Sequence, residues 1–172
     1  MKKINRKGFT LVELLAVIVI LSVLVLVAMP AVTRLMTTAR VNSFKTEVMG
    51  MNNYIETAFA DKSLTGTQAV TSTTITPTTP TKVFTYNGNS YLCMTVSQLQ
   101  SEGYMKKDVT GYSGIIQILV NSSGTSTTKV SVSNGTYTVS GLSTAINSSE
   151  YNPASGNSAT AACPTTFPTT LS

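Results

Sequence analysis

Few residues in this sequence have the side-chain chemistry that catalysis needs. The 172 residues include no histidine, which is the commonest general base and metal ligand. The two cysteines, Cys93 and Cys163, are too few for a zinc cluster. Charged residues make up 11% of the chain, whereas serine and threonine together supply 49 positions. These residue types argue against an enzyme, and no metal or cofactor is expected.

One carboxylate stands in an unusual place. Glu13 lies near the start of a 24-residue segment, Phe9 to Val32, that is apolar almost throughout. At mid-membrane a carboxylate costs about 2.5 to 3.5 kcal/mol, and less near the interface. Glu13 can therefore reach the headgroups or pair with a cation. Because Arg6 and Lys7 lie about two helical turns away, a cationic partner in another chain is a reasonable hypothesis.

A helix must position this carboxylate. As a helix, the 24-residue segment reaches about 36 Å, enough to cross a hydrocarbon core of roughly 30 Å. Pro30 lacks the N–H that would bond the carbonyl of Leu26, so the sequence predicts a kink or local melting there, or a helix that ends at the membrane exit. A basic leader before the segment predicts a cytoplasmic N-terminus. It holds four of the twelve basic residues, Lys2, Lys3, Arg6 and Lys7.

The same basic leader also fits a secretory signal peptide. Cleavage of such a peptide needs small residues at the −1 and −3 positions, and Leu26 and Met29 disrupt that pattern before Ala28 and Ala31. Removal of the whole apolar segment is therefore the less favoured interpretation. Outside the leader, eight basic residues face seven acidic ones, so nucleic-acid binding through a basic face has weak support.

The first thirty residues resemble the class III signal of type IV pilins and their pseudopilin relatives. The resemblance is carried by Lys7-Gly8-Phe9-Thr10-Leu11-Val12-Glu13-Leu14-Leu15, which follows a short basic leader and precedes an unbroken apolar run. It implies that a prepilin peptidase cuts after Gly8 and that Phe9 becomes the N-methylated N-terminus. Pro30 would correspond to the helix-breaking proline of that family.

The resemblance also implies a role for Glu13. Cleavage after Gly8 removes the four leader charges, keeps the apolar helix and creates an ammonium at Phe9. In the family, the glutamate is thought to neutralise that ammonium, commonly on a neighbouring subunit during filament assembly. An unpaired ion in an apolar filament core costs several kcal/mol, so this pairing can set the register of subunit addition. Glu13 is therefore expected to be an assembly residue, not a catalytic one.

Beyond residue 33 the helix is predicted to become amphipathic. Its apolar residues recur every three or four positions, at Val41, Phe44, Val48, Met51, Ile55 and Phe59. The pattern predicts one helix from Phe9 to about Ala60 whose later half packs onto a globular head. The threonine-rich segment from Asp61 to Thr81, with Gly66, Pro77 and Pro80, is predicted to be an exposed connector.

The segment 82–142 predicts a small antiparallel sheet. The expected strands are Val83–Tyr86, Tyr91–Val96, Ile115–Val120, Lys129–Ser133 and Thr136–Ser140. Asn87-Gly88-Asn89-Ser90 and Asn134-Gly135 are predicted hairpin turns. Ser97, with Gln100 three residues on, predicts the N-cap of a short helix that stops near Gly103. The predicted fold class is α+β, with the long N-terminal helix packed across one face of the sheet.

The tail, residues 143–172, is rich in serine, threonine, asparagine and alanine and has no periodic pattern. Many pilins have a C-terminal disulfide, and the resemblance implies a bond between Cys93 and Cys163. Closing a loop of about 70 residues contributes on the order of 4 kcal/mol in the chain-entropy model. Two free thiols are the alternative, because two cysteines alone do not define a bridge.

The sequence therefore predicts six regions. They are the leader 1–8, a transmembrane and polymerisation helix 9–32, an amphipathic helix 33–60, the connector 61–81, the sheet 82–142 and the tail 143–172. The expected function is that of a structural subunit of a type IV pilus, for adhesion, motility, biofilm formation or DNA uptake. Its expected partners are further pilin subunits, the prepilin peptidase, the membrane and the pilus assembly platform.

Two alternatives stay open. One is a pseudopilin of a type II secretion or competence system, although Glu150 is the only acid after Asp108 and a calcium-binding acidic loop is therefore not expected. The other is a membrane-anchored surface adhesin that never polymerises. The expected location is the cytoplasmic membrane for the precursor and an extracellular filament for the product.

Overall fold

The structure is a computed structural model that describes residues 9–78, 81–142, 152–153, 159 and 162–171. The chain divides between Asn42 and Ser43 into two compact units. The N-terminal unit is the first part of helix α1, which as a whole runs from Leu11 to Thr65. The second unit, the head, contains the remainder of α1, one short helix and the β-sheet.

Within the head, α1 buries the face that its apolar periodicity predicts. Phe44, Val48, Met51 and Ile55 are all 2% exposed or less. These side chains meet the sheet in a hydrophobic cluster with residues of five strands. Their spacing of three and four residues places them on one side of the helix, so the burial of apolar area holds α1 against the sheet.

Among the described residues, the sheet has seven strands whose order in space follows their order in sequence. They are β1 Thr67–Ala69, β2 Val83–Tyr86, β3 Asn89–Thr95, β4 Ser113–Val120, β5 Ser126–Ser133, β6 Tyr137–Leu142 and β7 Asn152–Pro153. β1 pairs with β2 in parallel, and every other neighbouring pair is antiparallel. The predicted α+β fold class, a long helix packed on a mostly antiparallel sheet as in pilins, is confirmed.

Both predicted hairpin turns are present. Asn87 and Gly88, with φ of 49° and 76°, form a two-residue turn between β2 and β3, and this is the left-handed geometry that the Asn-Gly pair favours. Asn89 and Ser90, which the sequence assigned to the turn, pair within the sheet instead. At the second turn, Asn134 Oδ1 accepts hydrogen bonds from the backbone N–H groups of Thr136 and Tyr137.

The connector differs from its prediction. Helix α1 continues past Ala60 to Thr65, and the next residues form β1. Two interactions explain the longer helix: Lys62 is buried against Glu102 at an Nζ–Oε2 distance of 2.5 Å, and Gly66 N–H closes the last turn on the Lys62 carbonyl at 2.7 Å. The connector between helix and sheet is therefore shorter than the range 61–81, and it is not exposed throughout, because Ile75 is 2% exposed.

The short helix α2, Val96–Ser101, begins two residues earlier than its predicted start. The N-cap is Thr95, not Ser97: Thr95 Oγ1 accepts from Gln98 N–H at 3.1 Å, and Gln98 Oε1 accepts from Thr95 N–H at 2.8 Å. Thr95 is the last residue of β3 and already has the extended backbone that an N-cap requires. The cap prediction at Ser97 was therefore wrong by two residues, since strand β3 fixes where the helix can begin.

The sheet separates two hydrophobic clusters, because successive side chains of a strand point to opposite faces. Leu92 and Met94 of β3 lie in the cluster beneath α1. Tyr91 and Cys93 lie in a second cluster on the other face, which contains Ile75, Phe84, Tyr91, Cys93, Ile115, Leu119 and Phe167. Ile75 comes from the connector and Phe167 from the tail, so two segments without sheet periodicity contribute to the core.

Candidate processing and assembly site

The first turn of α1 contains the lone carboxylate and a hydroxyl that satisfies it. Glu13 Oε2 accepts from Thr10 N–H at 2.8 Å and from Thr10 Oγ1–H at 2.9 Å. In return, Glu13 N–H donates to Thr10 Oγ1 at 3.3 Å. This reciprocal pair is a capping box, which satisfies donors that a helix start otherwise leaves without partners. In a single chain, Thr10 is therefore the partner of Glu13.

Cations for Glu13 are distant along the helix. No Lys or Arg stands between Glu13 and Arg34, which lies about 30 Å further along a straight helix. Phe9, the expected new N-terminus, lies just before the helical turn that contains Glu13 and is 86% exposed. Gly8 and the rest of the leader lie outside the described residues, so cleavage after Gly8 and methylation of Phe9 remain predictions.

The apolar part of α1 is uncovered on every side. All its large hydrophobic side chains from Phe9 to Met36 are about half exposed or more. Within the part of the chain that the structure describes, α1 is the one helix long and apolar enough to cross a membrane, and none of its most apolar window is buried. A helix that is apolar all round needs lipid or other apolar helices around it.

Helix α1 runs through Pro30 without interruption. One turn later, Thr33 Oγ1 donates to the carbonyls of Met29 and Pro30 at 3.1 and 3.0 Å. Neither the predicted local melting nor an end of the helix is found at this residue. The role of Pro30 as a helix break remains a prediction.

In the head, Cys93 and Cys163 form a disulfide with a Cα–Cα distance of 5.8 Å. Cys93 is in β3, the third strand of the sheet, and Cys163 is in the tail. The bond thus attaches the tail to the interior of the sheet, to which α1 also packs from the other face.

Ionisable side chains of the head form ion pairs and hydrogen bonds that join loops to α1. Burial alone would raise the pKa of Glu102, but hydrogen bonds from Lys62 and from the N–H and hydroxyl of Thr81 outweigh it, so the pKa lies below its usual range. Next to this cluster, the Tyr104 hydroxyl donates to Asp61 at 2.5 Å. Burial and that hydrogen bond raise the pKa of Tyr104 to about 12.

A second ionic cluster joins the middle of α1 to the loop before β4. Glu47 accepts from Lys107 and from the Tyr112 hydroxyl. Burial would raise the pKa of Glu47, yet these two donors lower it overall. In both clusters the ionisable groups bond to neighbouring protein groups. This arrangement indicates that they stabilise the head and do not form a binding site.

The sequence predictions missed the partner of Glu13. The pattern Thr10-x-x-Glu13 immediately before an apolar run is the sequence signature of a capping box. That signature could have identified Thr10 as a residue that positions the carboxylate.

Comparison with known families agrees with the geometry of the first turn and the apolar helix. Residues 3–29 match the sequence model of the prokaryotic N-terminal methylation motif. The N-terminal segment is therefore the class III signal that type IV prepilins carry, and the head has the α+β layout of pilins. No curated protein and no solved structure matches the chain.

Proposed function

We propose that the protein is a structural subunit of a type IV pilus. The observation that carries the proposal is a helix that bears the methylation motif, is apolar on all sides and holds one carboxylate at its start. A single-pass anchor needs an apolar helix but has no need of a carboxylate in it. Packing of many such helices against one another covers the apolar surface and supplies a partner for the charge.

The chemistry of assembly follows from the first turn. The prepilin peptidase cuts after Gly8 and methylates Phe9, so that each subunit begins with an ammonium group. Glu13 of an incoming subunit pairs with the Phe9 ammonium of its neighbour, and two charges that are costly in an apolar filament core then compensate each other. Since Thr10 already donates two hydrogen bonds to Glu13, the carboxylate is oriented before the neighbour arrives.

Location follows from the same segment. The precursor crosses the cytoplasmic membrane once, with its basic leader inside and its head outside. The pilus assembly platform then extracts the processed subunit into an extracellular filament. In this proposal the regions 1–8, 9–32 and 33–60 are the leader, the polymerisation helix and the head-packing helix. The protein is not an enzyme and needs no cofactor.

The decisive experiment replaces the charge at residue 13 and keeps its hydrogen-bonding shape. Glu13→Gln retains an acceptor for the Thr10 N–H but removes the negative charge. We expect the variant to be cut, methylated and held in the membrane as in the wild type, while sheared filaments are lost. The readouts are membrane fractionation, the yield of sheared filaments, and the mass of the mature N-terminus.

Glu56→Gln is the matched control, because Glu56 is an exposed glutamate of the same helix within the head. It should leave filament yield unchanged. Undiminished filaments from Glu13→Gln would show that charge pairing is not required for assembly. A wild-type protein that is anchored and processed but absent from all sheared filaments would favour the non-polymerising adhesin.

A further inference from the structure

The two faces of the sheet are covered in different ways. One face is covered by α1, a long helix with a continuous apolar stripe. Among the described residues, the other face is covered by two segments, 70–78 of the connector and 162–171 of the tail. We call these two segments together the second-face cover. Neither is a helix or belongs to a strand of the sheet.

The two segments of the cover hold each other through their backbones. Ile75 N–H donates to the Thr165 carbonyl at 2.8 Å, and Phe167 N–H donates to the Thr73 carbonyl at 2.6 Å. Thr74 and Thr166 form an antiparallel bridge between these bonds. The order of the connector in this region therefore depends on the tail, although the two are far apart in sequence.

Each segment buries one large apolar side chain in the second cluster and packs a partly buried residue, Val70 or Leu171, against it. Ile75 and Phe167 are each 2% exposed. The Phe167 ring lies 5.6 Å from the ring of Tyr86 and 5.8 Å from that of Tyr91, between centroids. Two buried and two partly buried side chains are a smaller apolar contribution than the five buried apolar residues of α1, so this layer is the weaker of the two.

Packing beneath the cover is also incomplete. A cavity of about 220 Å³ lies between the cover and the sheet, with Ile75, Phe84, Tyr91, Cys93 and Cys163 among its walls. This cavity is partly open to solvent, so the cover does not fill the space above the sheet completely. The disulfide borders this cavity and joins the beginning of the tail segment to β3.

The connector has its own attachments to the rest of the head at its two ends. Val70 N–H donates to the Thr85 carbonyl of β2 at 2.9 Å. Thr81, at the other end, donates from its N–H and its hydroxyl to Glu102. Between these ends, backbone hydrogen bonds join the connector to tail segment 162–171, which the disulfide of Cys163 attaches to β3.

We propose that the Cys93–Cys163 bond is a redox-sensitive latch for the whole second-face cover. Breaking the bond releases tail segment 162–171 and, with it, the connector between Val70 and Thr81, and exposes the apolar face of β2, β3 and β4. Helix α1 and the cluster beneath it stay folded. The bond thus controls a segment that precedes Cys93 in sequence as well as the tail that contains Cys163.

The reducing step needs a dithiol. A dithiol reductant supplies two electrons and two protons; the Cys93–Cys163 S–S bond breaks, two S–H bonds form, and the dithiol is oxidised to its own disulfide. Oxidation by a protein disulfide reverses the step with the same balance. In an oxidising extracytoplasmic compartment the latch is closed.

Amide hydrogen exchange of the full-length protein in detergent micelles tests the latch, with and without dithiothreitol. On reduction, exchange at Ile75 and Phe167 should accelerate at least about tenfold, because their N–H groups bond across the cover. Exchange at Ile116 and Val130, which lie in β4 and β5 within the cluster beneath α1, should change by less than about threefold. Alkylation and mass measurement confirm that two thiols have formed.

The double variant Cys93→Ser, Cys163→Ser is the control for effects of the reductant itself. It should exchange as the reduced wild type does and should not respond to dithiothreitol. The proposal is overturned if Ile75 and Phe167 stay protected in the alkylated, reduced protein. It is equally overturned if Ile116 and Val130 lose protection in parallel, since the bond would then support the entire head and not the cover.

Discussion

At the first turn of α1, one hydroxyl and one carboxylate satisfy each other and the backbone. Thr10 and Glu13 exchange hydrogen bonds in both directions, so the carboxylate is held before any second subunit is present. An apolar environment strengthens such bonds, because water does not compete for them. The same residue types that identify the processing signal thus also define where the helix begins.

This capping box predicts a measurable change at a single amide. Thr10→Val removes the hydroxyl that accepts from Glu13 N–H, and loss of an N-cap side chain costs about 1 kcal/mol. In detergent micelles, exchange at the Glu13 amide should accelerate about fivefold, the ratio that corresponds to that free energy. Thr10→Ser, which keeps the hydroxyl, should exchange as the wild type does; equal protection in the valine variant would contradict the cap.

The short elements of the head are defined by where strands end. Thr95 caps α2 because, as the last residue of β3, it has the extended backbone that an N-cap requires. Ser97 lies inside the first turn of that helix. Val96 and Leu99 then enter the cluster beneath α1. The cap therefore connects a local hydrogen bond to the packing of the sheet against the long helix.

Substitution of the two candidate caps separates these assignments. Thr95→Ala should lower the free energy of unfolding of the head by about 1 kcal/mol, because the Gln98 N–H loses its acceptor. Ser97→Ala, the control, should change it by less than about 0.5 kcal/mol. Urea unfolding followed by circular dichroism measures both. A larger loss of unfolding free energy for Ser97→Ala than for Thr95→Ala would show that Ser97 is the N-cap.

The ion pair between Lys62 and Glu102 predicts that the stability of the head depends on pH. The pKa of Glu102 is lower in the folded head than its unfolded value of about 4.3. Its contribution to stability is therefore fully present above the unfolded pKa and is lost as the pH falls through the lowered folded pKa. The melting temperature of the wild type should fall between about pH 5 and pH 3.

Glu102→Gln tests the origin of that dependence. The variant should be less stable than the wild type at pH 7, by about 1 to 3 kcal/mol, because Lys62 is left buried without its counter-charge. Its melting temperature should fall less between pH 5 and pH 3. Glu56→Gln, at an exposed position, should retain the wild-type pH profile. If Glu102→Gln has the same acid sensitivity as the wild type, the loss of stability arises elsewhere, with Glu47 the next candidate.

At the scale of the whole molecule, the N-terminal unit and the head differ in the surroundings that their surfaces favour. The N-terminal unit exposes large apolar side chains along its length, whereas the head buries its apolar residues in two clusters. The surface of the head is polar mainly through hydroxyl groups, since serine and threonine outnumber charged residues in the chain. Lipid or apolar helices suit the first unit, and water suits the second.

A fragment that contains residues 37–172 should therefore be a soluble monomer with a folded head. It lacks the exposed apolar segment and retains both hydrophobic clusters and the disulfide. Sedimentation velocity in buffer without detergent should show one species of monomer mass, while the full chain requires detergent. Aggregation or lack of cooperative unfolding of the fragment would mean that the head depends on the N-terminal unit.

The sequence by itself determined the features that depend on local pattern. The leader motif, the apolar helix, the stripe from Phe44 to Ile55 and the two Asn-Gly turns are all set by residues close together in the chain. Periodicity and turn chemistry act over a few residues, so they can be recognised without a structure. The α+β class follows from them.

Only the tertiary structure decided the arrangements that join distant segments. The extension of α1 to Thr65 depends on Glu102, the position of β1 on pairing with β2, and the placement of residues 162–171 on Ile75 and Cys93. The tail has too few apolar residues to form a core of its own, and its composition alone indicates disorder. Residues 162–171 are held in place because the sheet offers an apolar face for Phe167 and a covalent bond for Cys163, and neither is visible in the local sequence.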